Sequence, residues 1–197
     1  MSEHSSSPAR ERVLQAAEGL FSERGYNSVT LRDIADVLGM RQASLYNHAP
    51  GGKEQLFVEV TERGLNRHRR GIEEAIATVP PNLRAQLRAV ARWLVSQPPL
   101  DLARMSRSDM PAIDPVHAQK LARHAYASLL QPVENLIQQA YERGETRMVN
   151  TKLFAGMFLT AIGATYDGNQ YSQLPVEVLA DDTIDILLDG VYRQSPI

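Results

Sequence analysis

The stretch from Thr30 to Lys53, T-L-R-D-I-A-D-V-L-G-M-R-Q-A-S-L-Y-N-H-A-P-G-G-K, limits the fold more than any other part of the chain. Thr30 suits a helix N-cap, because its hydroxyl accepts from a free backbone N–H of the first turn. Asp33, three residues on, can return that bond, and its charge favours the positive helix end. Ile34, Ala35 and Leu38 then share one face of a short helix. Gly39 follows, where a helix stops in a left-handed turn at little steric cost. A second short helix fits Arg41 to His48, with Leu45 as its inward anchor. Two short helices around a glycine occur in many all-α proteins, so spacing alone leaves a plain packing motif open. The outward residues point to a helix-turn-helix whose second helix enters the DNA major groove. Arg41, Gln42, Ser44, Tyr46, Asn47 and His48 all form hydrogen bonds, and only Ala43 is small. Such a face suits base edges and phosphates, whereas a merely solvated face carries more Glu and Lys.

The 197 residues suffice for one or two domains, and 43% hydrophobic content is ordinary for a globular chain. The absence of cysteine excludes disulfides, thiolate catalysis and Cys-ligated zinc, and it fits a reducing cytosol. No apolar run approaches the ~20 residues of a membrane span. Met1 to Pro8 is polar and Ser-rich, so it reads as a flexible tail, not a signal peptide. The expectation is a cytoplasmic protein with no membrane partner. A net charge of −2 does not advertise a nucleic-acid binder. Basic character must then be local. Arg41 and Lys53 flank the second helix and suit phosphates. Arg63, Arg67, Arg69 and Arg70 read as a solvated helix face.

Four words lie close together: R-V-L-Q-A-A-E-G-L-F-S-E-R-G-Y from Arg12 to Tyr26, V-T-L-R-D-I-A-D-V-L-G-M from Val29 to Met40, A-S-L-Y-N-H from Ala43 to His48, and G-K-E-Q-L from Gly52 to Leu56. With them, Arg12 to Phe57 resembles the N-terminal domain of the TetR family of bacterial transcriptional repressors. The Pro50-Gly51-Gly52-Lys53-Glu54 turn resembles a drug-responsive subgroup. Two departures stand out. Ala49 replaces a Phe common in the family, and Pro50-Gly51-Gly52 adds a residue before the Lys. By position, Thr30 and Arg32 should meet phosphate, while Gln42, Ala43 and Ser44 should face base edges. Arg41 can reach either a guanine or a phosphate. The resemblance implies phosphate contacts for Tyr46 and Lys53. His48 matches a family His, with capping or packing as open to it as DNA contact.

Elsewhere the chain reads as helices. The first runs from about Pro8 to Arg24, with Gly25 as its stop and Val13, Ala16, Ala17, Leu20 and Phe21 as its stripe. The fourth runs from about residue 53 to 78, with Leu56, Phe57, Val60, Leu65, Ile72 and Ile76 inward. In the family this helix links reading head to ligand domain, and such a rod can carry a pendulum motion. Pro80-Pro81 separates a helix-turn-helix domain, 9–53 with the fourth helix as connector, from an effector-binding and dimerisation domain, 79–197. Asn82 caps a fifth helix that ends at Pro98-Pro99. Leu100 to Ser108 makes a short sixth. Asp114-Pro115 starts a seventh, kinked at Pro132 and stopped at Gly144. The kink leaves room for a pocket, for which Trp93, Met105, Met110, Tyr126 and Phe158 are candidate lining residues, with core packing as the alternative. His117 and His124 are seven apart, the wrong spacing for a helical metal pair. Asn150 and Pro175 open two last helices, each apolar on more than one face. They are either buried within one subunit or covered by a two-fold four-helix interface, the arrangement that the resemblance implies. Phe154, Met157, Ala161, Thr165, Ile184, Leu187, Leu188 and Val191 are its candidates.

The reading is therefore an all-α fold of about nine helices, with an N-terminal three-helix helix-turn-helix domain and a C-terminal helical ligand-binding and dimerisation domain. The expected protein is a homodimeric, ligand-responsive repressor of double-stranded operator DNA. It is released by a small apolar or aromatic molecule and needs no cofactor or metal. An all-α enzyme lacks support: no nucleophile–base constellation, metal pair or phosphate-cradling glycine motif is present. A helical ligand- or partner-binding dimer without DNA binding remains the alternative.

Overall fold

The computed structural model describes residues 7–98 and 101–189, and helices dominate them. The helices are α1 (Pro8–Ser28), α2 (Leu31–Val37), α3 (Gln42–Leu45), α4 (Gly52–Ala77), α5 (Leu83–Val95), α6 (Leu102–Arg104), α7 (Pro115–Ala125), α8 (Gln131–Glu142), α9 (Thr151–Ser172) and α10 (Val176–Asp189). A wide π turn, Met105–Asp109, continues α6, and a second, Tyr126–Leu130, joins α7 to α8. With α7 and α8 taken as one interrupted helix, the described residues hold nine helices. The chain forms two compact units. One contains the residues up to Gly64 together with Asp101–Arg123. The other contains Leu65–Leu100 and the residues from His124 onward.

In the first unit, α1, α2, α3 and the start of α4 close around Val13, Leu14, Ile34, Leu45 and Phe57, all buried. Ile113 and Leu121, from the later segment, complete the same core. Phe21, Tyr26 and Phe57 form an aromatic cluster, with Phe21 and Phe57 edge to face at 5.2 Å. Arg10 pairs with Glu59 at 2.6 Å, and Arg63 makes a two-pronged pair with Glu11, so α1 and α4 are cross-braced. Arg63 is thus a brace and not merely part of a solvated face. Each half-exposed pair contributes about 0.2–1 kcal/mol.

In the second unit, α5 is held at both ends. Its N-cap Asn82 accepts from Ala85 N–H, and Glu145 accepts from Leu83 N–H at 3.1 Å. At its far end, the one hydroxyl proton of Tyr166 of α9 is shared between the Gln97 and Leu94 carbonyls, at 2.6 and 3.0 Å. Arg84 and Arg88 of α5 reach Asp185 of α10, and Arg88 also reaches Asp181 at 3.3 Å. Trp93 lies flat against Gly71 of α4, where an added Cβ would fall 2.0 Å from the indole. Gly71 is therefore needed for close packing, and Trp93 is placed by that packing.

Several sequence expectations need correction. The short sixth helix is one α turn from Leu102, then the π turn, then a 3-10 turn at Met110–Ala112; Leu100 lies outside the described residues. Pro132 produces a π turn before it, with Gln131 N–H bonded five residues back to the Tyr126 carbonyl. Widening that turn makes room for a ring that would otherwise press on the carbonyl four residues earlier. Among the dimer candidates, Phe154, Thr165, Ile184 and Leu188 are buried within the chain itself. Met157 is exposed, Ala161 and Leu187 are half-buried, and Val191 lies outside the described residues. The outward face of α9 runs instead through Leu153, Met157, Thr160 and Ala164, at spacing 4, 3, 4. On α10, Ile186 is 75% exposed. Both helices are apolar on more than one face, so the pattern could not say which apolar side faces out.

Candidate nucleic-acid interface

The candidate surface begins at the cap of α2. Thr30 accepts from Asp33 N–H at 3.2 Å, and Asp33 accepts from Thr30 N–H at 2.7 Å, the reciprocal pair that the sequence promised. The Thr30 hydroxyl also donates to Asp33 at 2.7 Å. Thr30 thus serves as the cap of α2. Bonds from the Thr30 hydroxyl and from its backbone N–H hold the Asp33 carboxyl below the usual carboxylate range. Arg32, on the same turn, is 78% exposed at its side chain, with only a loose 3.8 Å approach to Asp36.

Gly39 adopts φ +63°, the left-handed turn that redirects the chain into α3. Helix α3 is shorter than expected, Gln42–Leu45. Arg41 occupies the N-cap position but makes no side-chain cap bond, and Tyr46–His48 continue as tight turns. Leu45 is fully buried, whereas Arg41, Gln42, Ala43, Ser44, Tyr46 and Asn47 are all exposed. One apolar anchor thus fixes a short segment whose other side chains point to solvent. His48 is half-buried. Ala49, in place of the bulkier residue, is 5% exposed and joins the core.

Gly52, at φ +73°, opens α4. Lys53 follows, its ammonium 4.0 Å from the centre of the Tyr26 ring. Burial against that ring pushes the Lys53 pKa down, while the Asp33 charge opposes the shift. Glu54, in the same turn, accepts from Asp114 N–H at 3.1 Å and from His117 Nδ1 at 2.7 Å. A carboxylate only accepts, so Nδ1 carries the proton there. His124 instead bonds Asn66, at 2.9 Å.

The candidate ligand residues are divided. Met105 and Met110 belong to the first unit, where Met110 packs against the core; Trp93, Tyr126 and Phe158 belong to the second. Phe158 is fully buried, and the Tyr126 hydroxyl donates to Glu134 at 3.1 Å. A 420 Å³ cleft is lined instead by Ile137, Gln138, Tyr141 and residues 148–152. Sequence reasoning also missed Arg104 and Asp109, which bind the end of α1 across more than eighty residues. Only the helix-breaking Gly25 hinted that something must fill in there.

Residues 13–60 match the family described as bacterial regulatory proteins, tetR family. The HTH-type transcriptional regulator LmrA of Bacillus subtilis is 47% identical over 51 residues, 26% of this chain and 27% of that protein. The chain matches about a quarter of the length of these curated relatives. A bacterial regulatory protein of the tetR family from Rhodococcus RHA1 superposes with a TM-score of 0.75 at 20% identity, covering 96% of this chain and 100% of that one. The ketosteroid transcriptional regulator KstR2 of Mycobacterium tuberculosis does so with a TM-score of 0.73 at 18% identity, over 96% and 97%. These likenesses extend the shared fold through both units. They do not single out a drug-responsive subgroup.

Proposed function

We propose that this chain, which belongs to the tetR family of bacterial regulatory proteins through its residues 13–60, is a ligand-responsive transcriptional repressor and not an enzyme. The observation that carries the reading is the α3 segment. Leu45 is buried at its centre, and Arg41, Gln42, Ala43, Ser44, Tyr46 and Asn47 surround it on the exposed side. In this reading Gln42, Ala43, Ser44 and Asn47 face base edges, and Arg41 a guanine or a phosphate. Arg32, Tyr46 and Lys53 hold the backbone on either side. His48, half-buried, packs. The protein works as a homodimer in the cytoplasm, joined along the α9 face of Leu153 and Met157 with Ile186 of α10. Both α9 residues are about half exposed or more in the single chain. Its two α3 segments read a near-palindromic operator whose half-sites lie about 34–36 Å apart, or a multiple of that. A small apolar or aromatic molecule held in the second unit favours a dimer that no longer fits that spacing, so ligand and DNA oppose each other. The naming of KstR2 as a ketosteroid regulator supports an apolar effector.

The test starts from a random duplex pool, from which the wild-type protein selects its site. Tyr46→Phe and Lys53→Ala should weaken selected and random duplexes alike, and Lys53→Ala should reduce the salt slope by about one. Gln42→Ala and Ser44→Ala should change which sequences are preferred. A wild-type protein that dimerises but selects no sequence is a ligand- or partner-binding dimer, and the repressor reading falls.

A further inference from the structure

We infer that Arg104 and Asp109 are positioning residues of the DNA-reading head, an assignment that rests on the repressor reading above. The reason lies in a break in α1. Gly25 sits at φ 77°, ψ 168°, a conformation closed to residues with a side chain, so the helix is interrupted there. In an unbroken helix the Tyr26 N–H would bond the Ser22 carbonyl four residues back. Both groups are satisfied from elsewhere. Tyr26 N–H donates to Asp109 Oδ1 at 2.9 Å, and the Arg104 guanidinium donates to the Ser22 carbonyl at 2.5 Å. Arg104 also reaches the Phe21 and Glu23 carbonyls, each at 3.3 Å. Two side chains from a distant segment thus stand in for the helix's own partners.

The two are joined to each other, with Arg104 Nε 3.6 Å from Asp109 Oδ2. Asp109 is 3% exposed, so its charge depends on that cation and on the N–H it accepts. Asn27 adds a bond to the Ser108 hydroxyl at 3.2 Å. A side chain at Gly25 would be tight beneath this clasp as well as strained in its backbone. A Cβ on Gly25 would stand 3.0 Å from Asp109 Oδ1 and 3.1 Å from Arg104 Cδ.

What the clasp fixes matters for DNA. Tyr26 is the residue whose ring supports the Lys53 ammonium and packs on Phe57. Four residues later comes Thr30, the cap of α2. Holding the Tyr26 backbone therefore sets two things at once: the seat of a phosphate-facing cation and the direction from which the helix-turn-helix departs. Neither Arg104 nor Asp109 is among the residues that face DNA in this reading.

The experiment uses the full chain and the duplex selected by wild-type protein. Asp109→Ala and Arg104→Met should each lower affinity for that duplex tenfold or more while leaving the helical signal and the dimer intact. Asp109→Asn, which keeps an acceptor for the Tyr26 N–H, should return affinity to within about threefold of wild type. Arg104→Lys, which cannot reach three carbonyls and a carboxylate together, should not. Leu87→Ala in α5 serves as a control that loses stability away from the head and should bind DNA as wild type does, measured well below its melting temperature. Equal loss in Leu87→Ala, or wild-type affinity in Asp109→Ala and Arg104→Met, overturns the assignment. If Asp109→Ala does not fold, the contrast between Asp109→Asn and Arg104→Lys decides alone, and equal affinities for those two overturn it. Gln42→Ala separates this failure from that of the repressor reading. If it loses selectivity while the clasp variants bind normally, only the clasp falls; if it too is unchanged, the repressor reading falls with it.

Discussion

The two π turns share a local cause and differ in what surrounds them. Met105–Asp109 is followed after one residue by Pro111, and Tyr126–Leu130 after one residue by Pro132. In each, the N–H of the intervening residue bonds the carbonyl five back, to Met105 in one case and Tyr126 in the other. The proline supplies no N–H, and its ring crowds the carbonyl four residues earlier, so a wider turn relieves both. In the first turn two polar side chains tie the turn to the end of α1. Asp109 holds Tyr26, and Ser108 meets Asn27. In the second, the Ser128 hydroxyl is buried without a hydrogen-bond partner, and so is one oxygen of nearby Glu134. One turn is a joint tied by side-chain bonds to the end of α1. The other leaves polar groups unsatisfied in the unit read here as the ligand domain. A proline can force the same backbone device in both places, but only the tertiary neighbours decide its use.

The largest expected effect comes from Gly25→Ala, which closes the space under the first turn. It forces a side chain into a backbone region open only to glycine and presses on Asp109, so urea unfolding should show a loss of about 2–3 kcal/mol. A variant as stable as wild type would mean that the joint is loose. Next come the prolines themselves, which should act with opposite signs. Pro132→Ala restores an N–H and should stabilise by about 1 kcal/mol, whereas Pro111→Ala, by drawing the turn toward α geometry, should pull Asp109 off Tyr26 and destabilise by a similar amount. Equal signs in thermal unfolding would erase the contrast. Smaller again is Ser128→Ala. Removing a buried hydroxyl that lacks a partner should change stability by less than about 1 kcal/mol, and in the stabilising direction. A clear loss would show that Ser128 is bonded after all, through a bound water or ligand. The last is a pH effect at the α2 cap. Asp33 has its folded pKa depressed, so its contribution is whole above the ordinary aspartate value of about 3.9 and fades as pH falls through the lower folded value. Asp33→Asn should flatten that acid limb in a pH series of melting temperatures.

What the sequence revealed was local. The Thr30–Asp33 box, the Gly39 turn, the Asn82 and Asn150 caps and the Gly144 stop each depend on two or three neighbouring residues, and each is present. So is the exposed, mostly polar face around Leu45, because one buried residue in a short segment fixes the direction of the rest. What the sequence hid was relational. Nothing near Asp109 says that its carboxylate will meet an amide eighty-three residues away. The length of α3 was overestimated because Arg41 and Asn47 read as outward helix residues whether the backbone is helical or merely turned. The outward side of α9 was hidden for the opposite reason: Phe154, Leu153 and Met157 are all apolar, and only packing tells which of them the chain keeps for itself.

The return of Asp101–Arg123 to the first unit bears on how such a protein can be cut and recombined. A fragment ending after α4 would expose the sites of Ile113 and Leu121 and leave the Tyr26 amide without its carboxylate. Anyone transplanting this head onto a foreign body would have to carry two separate pieces of chain, because the first piece alone is a domain with an open seam.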